Sequence, residues 1–225
     1  MITQQRAPWE PAEWTGQMPL IRDAATLLER LDLTPEQAGF SPAAARDFPL
    51  RVPRAYVDRM TPGDPADPLL RQVLAIEAEY DAVAGFGPDP VGESEHSPVP
   101  GVLHKYAGRV LLVATGACAV HCRYCFRRHF PYQEQMATGS RLEQALAWLA
   151  DRPDIDEVIL SGGDPLSLSD RRLAELLGEL AAIPHLRRLR IHTRLPVVEP
   201  ARLTARLRAL LADQRWQSVL VLHAN

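Results

Sequence analysis

From Arg109 onward the chain alternates apolar runs of strand length with helical stripes, and a polar motif follows each strand. Val110 to Thr115 (VLLVAT) is continuously apolar, the pattern of a strand covered on both faces. Val158 to Leu160 is a second short strand, running into Ser161-Gly162-Gly163-Asp164-Pro165. Leu189 and Ile191 alternate with arginines in a third, which ends at His192-Thr193-Arg194. Val219 to Leu222 is the fourth, followed by His223-Ala224-Asn225. Between them, Ser140 with Glu143 reads as a capping box ahead of a stripe of Leu142, Ala145, Leu146 and Leu149. Leu173, Leu176, Leu177 and Leu180 mark the next helix, and Pro200 opens a third with Leu203, Leu207, Leu210 and Leu211 inward. This predicts an α/β fold with parallel strands and crossover helices, its polar motifs at the strand ends where such folds build sites. Four strands cannot close a barrel, so the sheet is open or the chain is a piece of something longer.

Residues 1 to about 100 read as a helical, loop-rich N-terminal extension. Asp23 can cap a short helix through Leu31. Asp67-Pro68 reads as a helix start, with Leu69, Val73, Ile76 and Tyr80 following at helical spacing. Gly85 to Pro100 is rich in Pro, Gly and Ser and reads as a linker. With 225 residues the chain can bury a real core, most simply as one domain carrying this extension. A net charge of −3 gives no case for a nucleic-acid or membrane partner. Residues 1 to 18 lack the apolar run of a signal peptide, so a cytoplasmic protein is expected.

All three cysteines fall in Cys118-Ala-Val-His-Cys122-Arg-Tyr-Cys125, with spacing C-x3-C-x2-C. An odd, tightly clustered set argues for a metal or redox site and against a disulfide framework. Three thiolates can each take one iron of a cubane, leaving a fourth iron open to another ligand. Zinc completed by His121 or His129 and a redox thiol pair are the other readings of the same residues.

The cysteine motif with Phe126-Arg127-Arg128-His129-Phe130-Pro131-Tyr132 behind it resembles the lysine 2,3-aminomutase family of radical S-adenosylmethionine enzymes. Within that family it is most similar to the branch acting in β-lysylation of elongation factor P. Leu103-His104-Lys105-Tyr106 with Arg109, Leu160-Ser161-Gly162-Gly163-Asp164-Pro165-Leu166, Arg190-Ile191-His192-Thr193-Arg194-Leu195-Pro196 and His223-Ala224-Asn225 match in the same order. The resemblance implies a partial radical SAM (β/α) barrel over residues 101–225, its first four βα units, behind a 1–100 extension and linker. It implies an isomerase that converts L-α-lysine to β-lysine, with an external electron donor and a pathway link to elongation factor P. The implied cofactors are a [4Fe-4S] cluster, S-adenosylmethionine and pyridoxal phosphate.

Residue by residue, Cys118, Cys122 and Cys125 match the cluster ligands. Tyr124 matches a ring near the adenine, and Gly162-Gly163-Asp164 the turn that approaches the methionine amino group. His192, Arg194 and Asn225 end strands at the same mouth and match cofactor-side positions; each could equally be a satisfied polar residue. Arg127 matches the arginine that holds the substrate carboxylate, a task suited to a planar fork. Tyr106 and Arg109 match residues around pyridoxal phosphate. One departure stands out: the family's Schiff-base lysine and the acidic residues that select the substrate's distal ammonium fall later in the family's chains. Here 24 of the 25 basic residues are arginine, and Lys105 matches a position at the cofactor's edge. The expectation is therefore an N-terminal portion of such an enzyme. A radical enzyme of other chemistry without pyridoxal phosphate, or a non-catalytic fragment holding a cluster or zinc, are the alternatives.

Overall fold

The computed structural model describes residues 14–81, 83–85 and 87–224. The chain forms two compact units, and their boundary does not fall at residue 100. One unit joins Met18–Val91 to Ala119–Phe130; the other gathers the N-terminal segment to Gln17, Gly92–Cys118 and Pro131–Asn225.

In the first of these units a two-residue strand, β1 (Leu20–Ile21), pairs antiparallel with β2 (Val52–Pro53). Four short helices pack around them: α1 (Ala24–Arg30), α2 (Pro35–Ala38), α3 (Pro42–Asp47) and α4 (Arg54–Val57). Their starts are set by side-chain caps, since the first backbone N–H groups of a helix have no partner within it. Asp23 accepts from the Thr26 N–H at 2.8 Å, as its position in the sequence suggests. Thr34 and Gln37 form a reciprocal capping box, and Ser41 caps α3. Leu27, Leu28, Leu31, Tyr56 and Leu70 are buried and form the core.

The helix expected over 69–80 does not form. Asp67 caps as predicted, accepting from the N–H groups of Thr61, Leu69 and Leu70. Only a 3-10 turn (Leu70–Gln72) follows, and a second one covers Glu77–Tyr80. Between them the Ala75 carbonyl accepts from the Ser41 N–H, and Ile76 bridges Phe40 in extended conformation. Those backbone partners, more than thirty residues away in sequence, outcompete the helical spacing.

The other unit is built on a five-stranded sheet in the order β3 (Val102–Tyr106), β4 (Arg109–Thr115), β5 (Glu157–Gly162), β6 (Arg188–Thr193) and β7 (Gln217–Leu222). The last four are parallel neighbours, and all four contain the strands read from the sequence. Leu112, Leu160, Ile191 and Leu220 lie across from one another in register. Every residue of β5 is buried, as a central strand with two covered faces requires. The sheet is open, with β3 and β7 at its edges.

Strand β3 was not anticipated, and it makes the sheet mixed. It returns antiparallel on β4 through Ala107-Gly108, with Gly108 at a φ of +74°. A two-residue connection with glycine second is a hairpin signal that the sequence carries in plain view.

The crossovers are α6 (Ser140–Ala150), α7 (Asp170–Ala181) and α9 (Ala205–Ala212); α5 (Tyr132–Gln135) precedes α6, and α8 (Leu195–Val198) follows β6. Leu173, Leu176, Leu177 and Leu180 all face inward on α7. Two local readings are corrected. Ser140 is the first residue of α6 and not its cap; Gly139, at a φ of +55°, turns the chain in, so no side chain caps the helix. Pro200 opens only a 3-10 turn to Arg202, after which Thr204 caps α9; Leu207 is buried while Leu203 is exposed.

A buried ion pair closes this unit. Arg202 and Asp170 are both fully buried, 2.8 Å apart, and the Arg202 Nε–H donates to the Leu166 carbonyl at 2.8 Å. The Trp14 backbone N–H donates to Asp170 Oδ2, the Asp170 N–H returns to the Trp14 carbonyl, and the guanidinium lies 5.4 Å from the Trp14 ring centre. Among the described residues no helix is long and apolar enough to cross a membrane.

Candidate functional site

The parallel strands β4, β5 and β6 deliver their polar motifs to one edge of the sheet, because parallel neighbours end together. Strand β4 exits through Thr115-Gly116-Ala117 to Cys118, and β5 exits through Gly162-Gly163-Asp164. These two exits are in backbone contact. The Gly163 N–H donates to the Thr115 carbonyl at 2.7 Å, and the Asp164 N–H to the Ala117 carbonyl at 2.8 Å. The Gly162 carbonyl accepts from the Tyr132 hydroxyl at 2.7 Å.

Both glycines are needed for this approach. Gly162 has a φ of +109°, and a Cβ there would lie 2.6 Å from the Thr115 oxygen. A Cβ on Gly163 would lie 2.4 Å from the Ala117 oxygen. The glycine pair therefore fits the two strand exits together directly ahead of Cys118. We expect Gly163→Ala to cost about 3 kcal/mol, the upper end for overpacking, because backbone and not a flexible side chain must yield. Gly178→Ala in mid-α7 meets nothing within 4 Å and should be neutral or stabilising by up to about 1 kcal/mol. Urea unfolding midpoints of the two variants, compared with the parent, measure the contrast.

Asp164 was expected to receive an ammonium from a bound cofactor, and the structure gives its carboxylate another task. Oδ1 accepts from the Thr193 hydroxyl (2.7 Å) and the Leu166 N–H (3.0 Å), and Oδ2 from the N–H groups of Arg194 and Leu195 (both 2.8 Å). A carboxylate offers about four lone-pair sites, and all are taken. Burial pushes the carboxyl up from its usual range, while the Thr193, Arg194, Leu166 and Leu195 hydrogen bonds pull it down. Asp164 thus ties the end of β5 to the turn after β6, and positions Arg194 through its backbone. Arg194 is itself buried, and the His192 ring lies 5.9 Å from that of His223. Asn225 lies outside the described residues.

Tyr106 and Arg109 are brought together with each other but not with this edge. The Arg109 guanidinium lies 5.8 Å from the Tyr106 ring centre, and both residues flank the hairpin turn at the start of β4. At about 3.3 Å per residue, Arg109 is roughly 20 Å along the strand from its Cys118 end. Tyr106 and Lys105 are exposed there.

Residues 119–130, which carry Cys122 and Cys125, belong to the other unit and are built as a chain of turns. The Cys125 N–H donates to the Cys122 carbonyl, the Arg128 N–H to that of Cys125, and the Phe130 N–H to that of Arg127. The stretch is sewn to its unit from one side: the His121 N–H donates to the Arg51 carbonyl, and the Arg123 N–H to that of Gln72. The His121 ring stacks on Phe48 with centres 4.8 Å apart, and its Nδ1 bonds the Pro49 carbonyl at 2.8 Å. Burial lowers its pKa, with the cations of Arg51, Arg123 and Arg22 adding to the effect and the Pro49 bond opposing it.

Arg123, Arg128 and Glu79 form a cluster that sequence reasoning missed. Arg123 Nε donates to Glu79 Oε1 at 2.8 Å and its NH2 pairs with Oε2. Its other donors go to the carbonyls of Phe48 and Ala44. Arg128 NH1 reaches Glu79 Oε2 at 2.6 Å, and both guanidiniums face the Phe48 ring. Burial opposes the Glu79 charge, but hydrogen bonds from Arg123 and Arg128 prevail and hold its carboxyl below the usual range. The partners are 44 and 49 residues apart in sequence, so no local pattern could have exposed them.

All three cysteines are thiols of intermediate exposure. Burial pushes the Cys125 thiol up, and Cys122 adds to this; the Arg127 N–H and the charges of Arg127 and Arg128 act in the opposite sense. Within neither unit do three Cys, His, Asp or Glu side chains among the described residues form a group able to hold a metal ion. The donor chemistry nonetheless suits iron, since soft sulfur ligands in a turn-rich loop are what an iron–sulfur cluster takes. Tyr124 is exposed, its hydroxyl 3.3 Å from Gln72 Oε1, while Arg127 is buried with its guanidinium 4.8 Å from the Phe126 ring centre.

Comparison with known proteins places these features. The Radical SAM superfamily model matches residues 112–214. L-lysine 2,3-aminomutase of Escherichia coli is 48% identical over 215 residues, which is 95% of this chain and 63% of that protein. The protein of the same name from Haemophilus influenzae is 48% identical over 205 residues, 91% of this chain and 61% of its own length. That from Clostridium subterminale is 33% identical over 221 residues, 95% of this chain and 53% of its own. The chain thus spans between half and two thirds of each of these relatives. On the strength of the strand-end motifs and of these identities, the chain carries a Radical SAM superfamily domain and is a homologue of the L-lysine 2,3-aminomutases.

Proposed function

We propose that this chain supplies the cluster- and S-adenosylmethionine-binding part of an L-lysine 2,3-aminomutase, an isomerase that converts L-α-lysine to β-lysine. The observation that carries the reading is the 48% identity over 215 residues, spanning the cysteine loop and all four parallel strands. Cys118, Cys122 and Cys125 are assigned as ligands of a [4Fe-4S] cluster, Tyr124 and the edge formed by Gly162-Gly163, His192, Arg194 and Asn225 to the S-adenosylmethionine side, and Arg127 to the substrate carboxylate. When bound, cluster and S-adenosylmethionine together supply a radical able to remove hydrogen from an unactivated carbon, with the electron coming from an external donor. The chain's own part is positional. Its glycines let β4 and β5 exit in contact, and Asp164 holds the Arg194 turn against them.

Pyridoxal phosphate belongs to the same proposal, with Tyr106 and Arg109 on its side, as does a role for the β-lysine in modifying elongation factor P. Their location at the far end of β4 means that any such group lies deep along the sheet and away from the Cys118 edge.

Anaerobic reconstitution followed by iron, sulfide and zinc analysis is the test. About four irons and four sulfides per chain are expected, with Cys122→Ala losing them. Stoichiometric zinc without iron uptake in the parent chain would overturn the assignment.

A further inference from the structure

We propose that Glu79 is the positioning residue of the cysteine loop, holding through Arg123 and Arg128 the turns on either side of Cys125. The inference rests on the reading that this loop carries cluster ligands. Arg123 follows Cys122 directly and Arg128 comes three residues after Cys125, so the segment 123–128 begins and ends on one carboxylate. Glu79 is suited to this by its own fixation. It opens a 3-10 turn in which Oε1 also accepts from the Ile76 N–H at 3.2 Å. That places it one residue from the Tyr80 hydroxyl-bearing side chain, which donates to Asp47 at 2.7 Å and ties the turn to the end of α3.

The arrangement also explains why the loop needs an acid here. The Arg123 side chain is 7% exposed and that of Arg128 16%. Both guanidiniums face one Phe48 ring, 5.2 and 5.1 Å from its centre, so two cations share one apolar contact. Without the carboxylate between them they would repel in a poorly solvated site, and the only relief is for one side chain to leave and take its turn with it. A loop freed at one end loses the closure that confines Cys125, because the ordering of the intervening residues is no longer offset by the ion pairs.

The experiment compares the parent chain with Glu79→Gln and Glu79→Asp after anaerobic reconstitution. Iron release to a colorimetric ferrous chelator is timed, and amide hydrogen exchange is followed in the iron-free protein. Glu79→Gln keeps the shape and removes the charge; it should speed iron release at least about tenfold and raise exchange in residues 121–128, leaving residues 157–162 of β5 protected. Glu79→Asp keeps the charge on a shorter arm and should restore part of the parent's behaviour. A merely stabilising residue would raise exchange throughout the unit and leave the release rate at the parent's value. Should Glu79→Gln fail to fold, Arg128→Gln retains the Arg123–Glu79 pair and should give a smaller acceleration. Release at the parent rate from any folded variant, with the loop still protected, overturns the proposal. A parent chain that takes up no iron overturns the cluster reading itself, and with it the purpose assigned to Glu79.

Discussion

Asp164→Ala is expected to destabilise the folded chain by roughly 4 kcal/mol even with no cofactor added. Four protein donors converge on this carboxylate, three of them backbone N–H groups that cannot turn away. Of these, the Leu195 N–H has a fallback in Thr193 Oγ1 at 3.1 Å. The N–H groups of Leu166 and Arg194 have none in view and would be left buried, at roughly 1–3 kcal/mol each. Asp164→Asn should be milder, about 2 kcal/mol: its carbonyl can keep the Arg194 and Leu195 donors, and the Thr193 hydroxyl can rotate to accept from the new amide. The Leu166 N–H alone would then oppose another donor. Urea denaturation of the iron-free protein distinguishes this from a binding role. A residue reserved for a cofactor's ammonium would leave the stability of the unliganded chain unchanged, and that result would refute the clamp.

Arg202→Ala should cost about 3–5 kcal/mol, the range for removing one partner of a buried pair. Asp170 would keep its charge in a fully buried position, and the Leu166 carbonyl would lose its donor. Burial already lowers the Arg202 pKa, with Asp170 opposing it, so neither ion is stable there without the other. The double variant Asp170→Ala/Arg202→Ala should therefore lose clearly less than the sum of the two single changes, because no lone charge remains. Equal and additive losses would show that the pair is not coupled. Trp14 reports locally: its fluorescence should change in Arg202→Ala in the native state, since the guanidinium leaves its ring. Leu166 links this pair to Asp164, two residues before it, so both predictions probe the support of the same turn.

How much of this was legible in the sequence can be argued strand by strand. Val110–Thr115, Val158–Leu160, Leu189–Ile191 and Val219–Leu222 were readable because a buried parallel strand needs an apolar run and little else. The α7 stripe was readable for the matching reason at a period of 3.6 residues. Caps were readable where the acceptor and its N–H are neighbours in the chain, as at Asp23. They were misread at Ser140, where the φ of Gly139 and not a side chain decides the entry.

By itself, then, the sequence determined what depends on neighbours in the chain: strand and helix identity, the parallel order of the last four strands, and the gathering of three thiols in one loop. Tertiary structure alone decided what depends on partners far away. The Leu69–Tyr80 stripe lost its helix to backbone partners at 40–41. The carboxylate of Asp164, read as open to a ligand, was saturated by donors some thirty residues later. Arg123 and Arg128 read as ordinary basic residues until folding set Glu79 between them. In each case the deciding energy is a hydrogen bond or ion pair made between segments distant in sequence, and a linear pattern holds no record of such a partner.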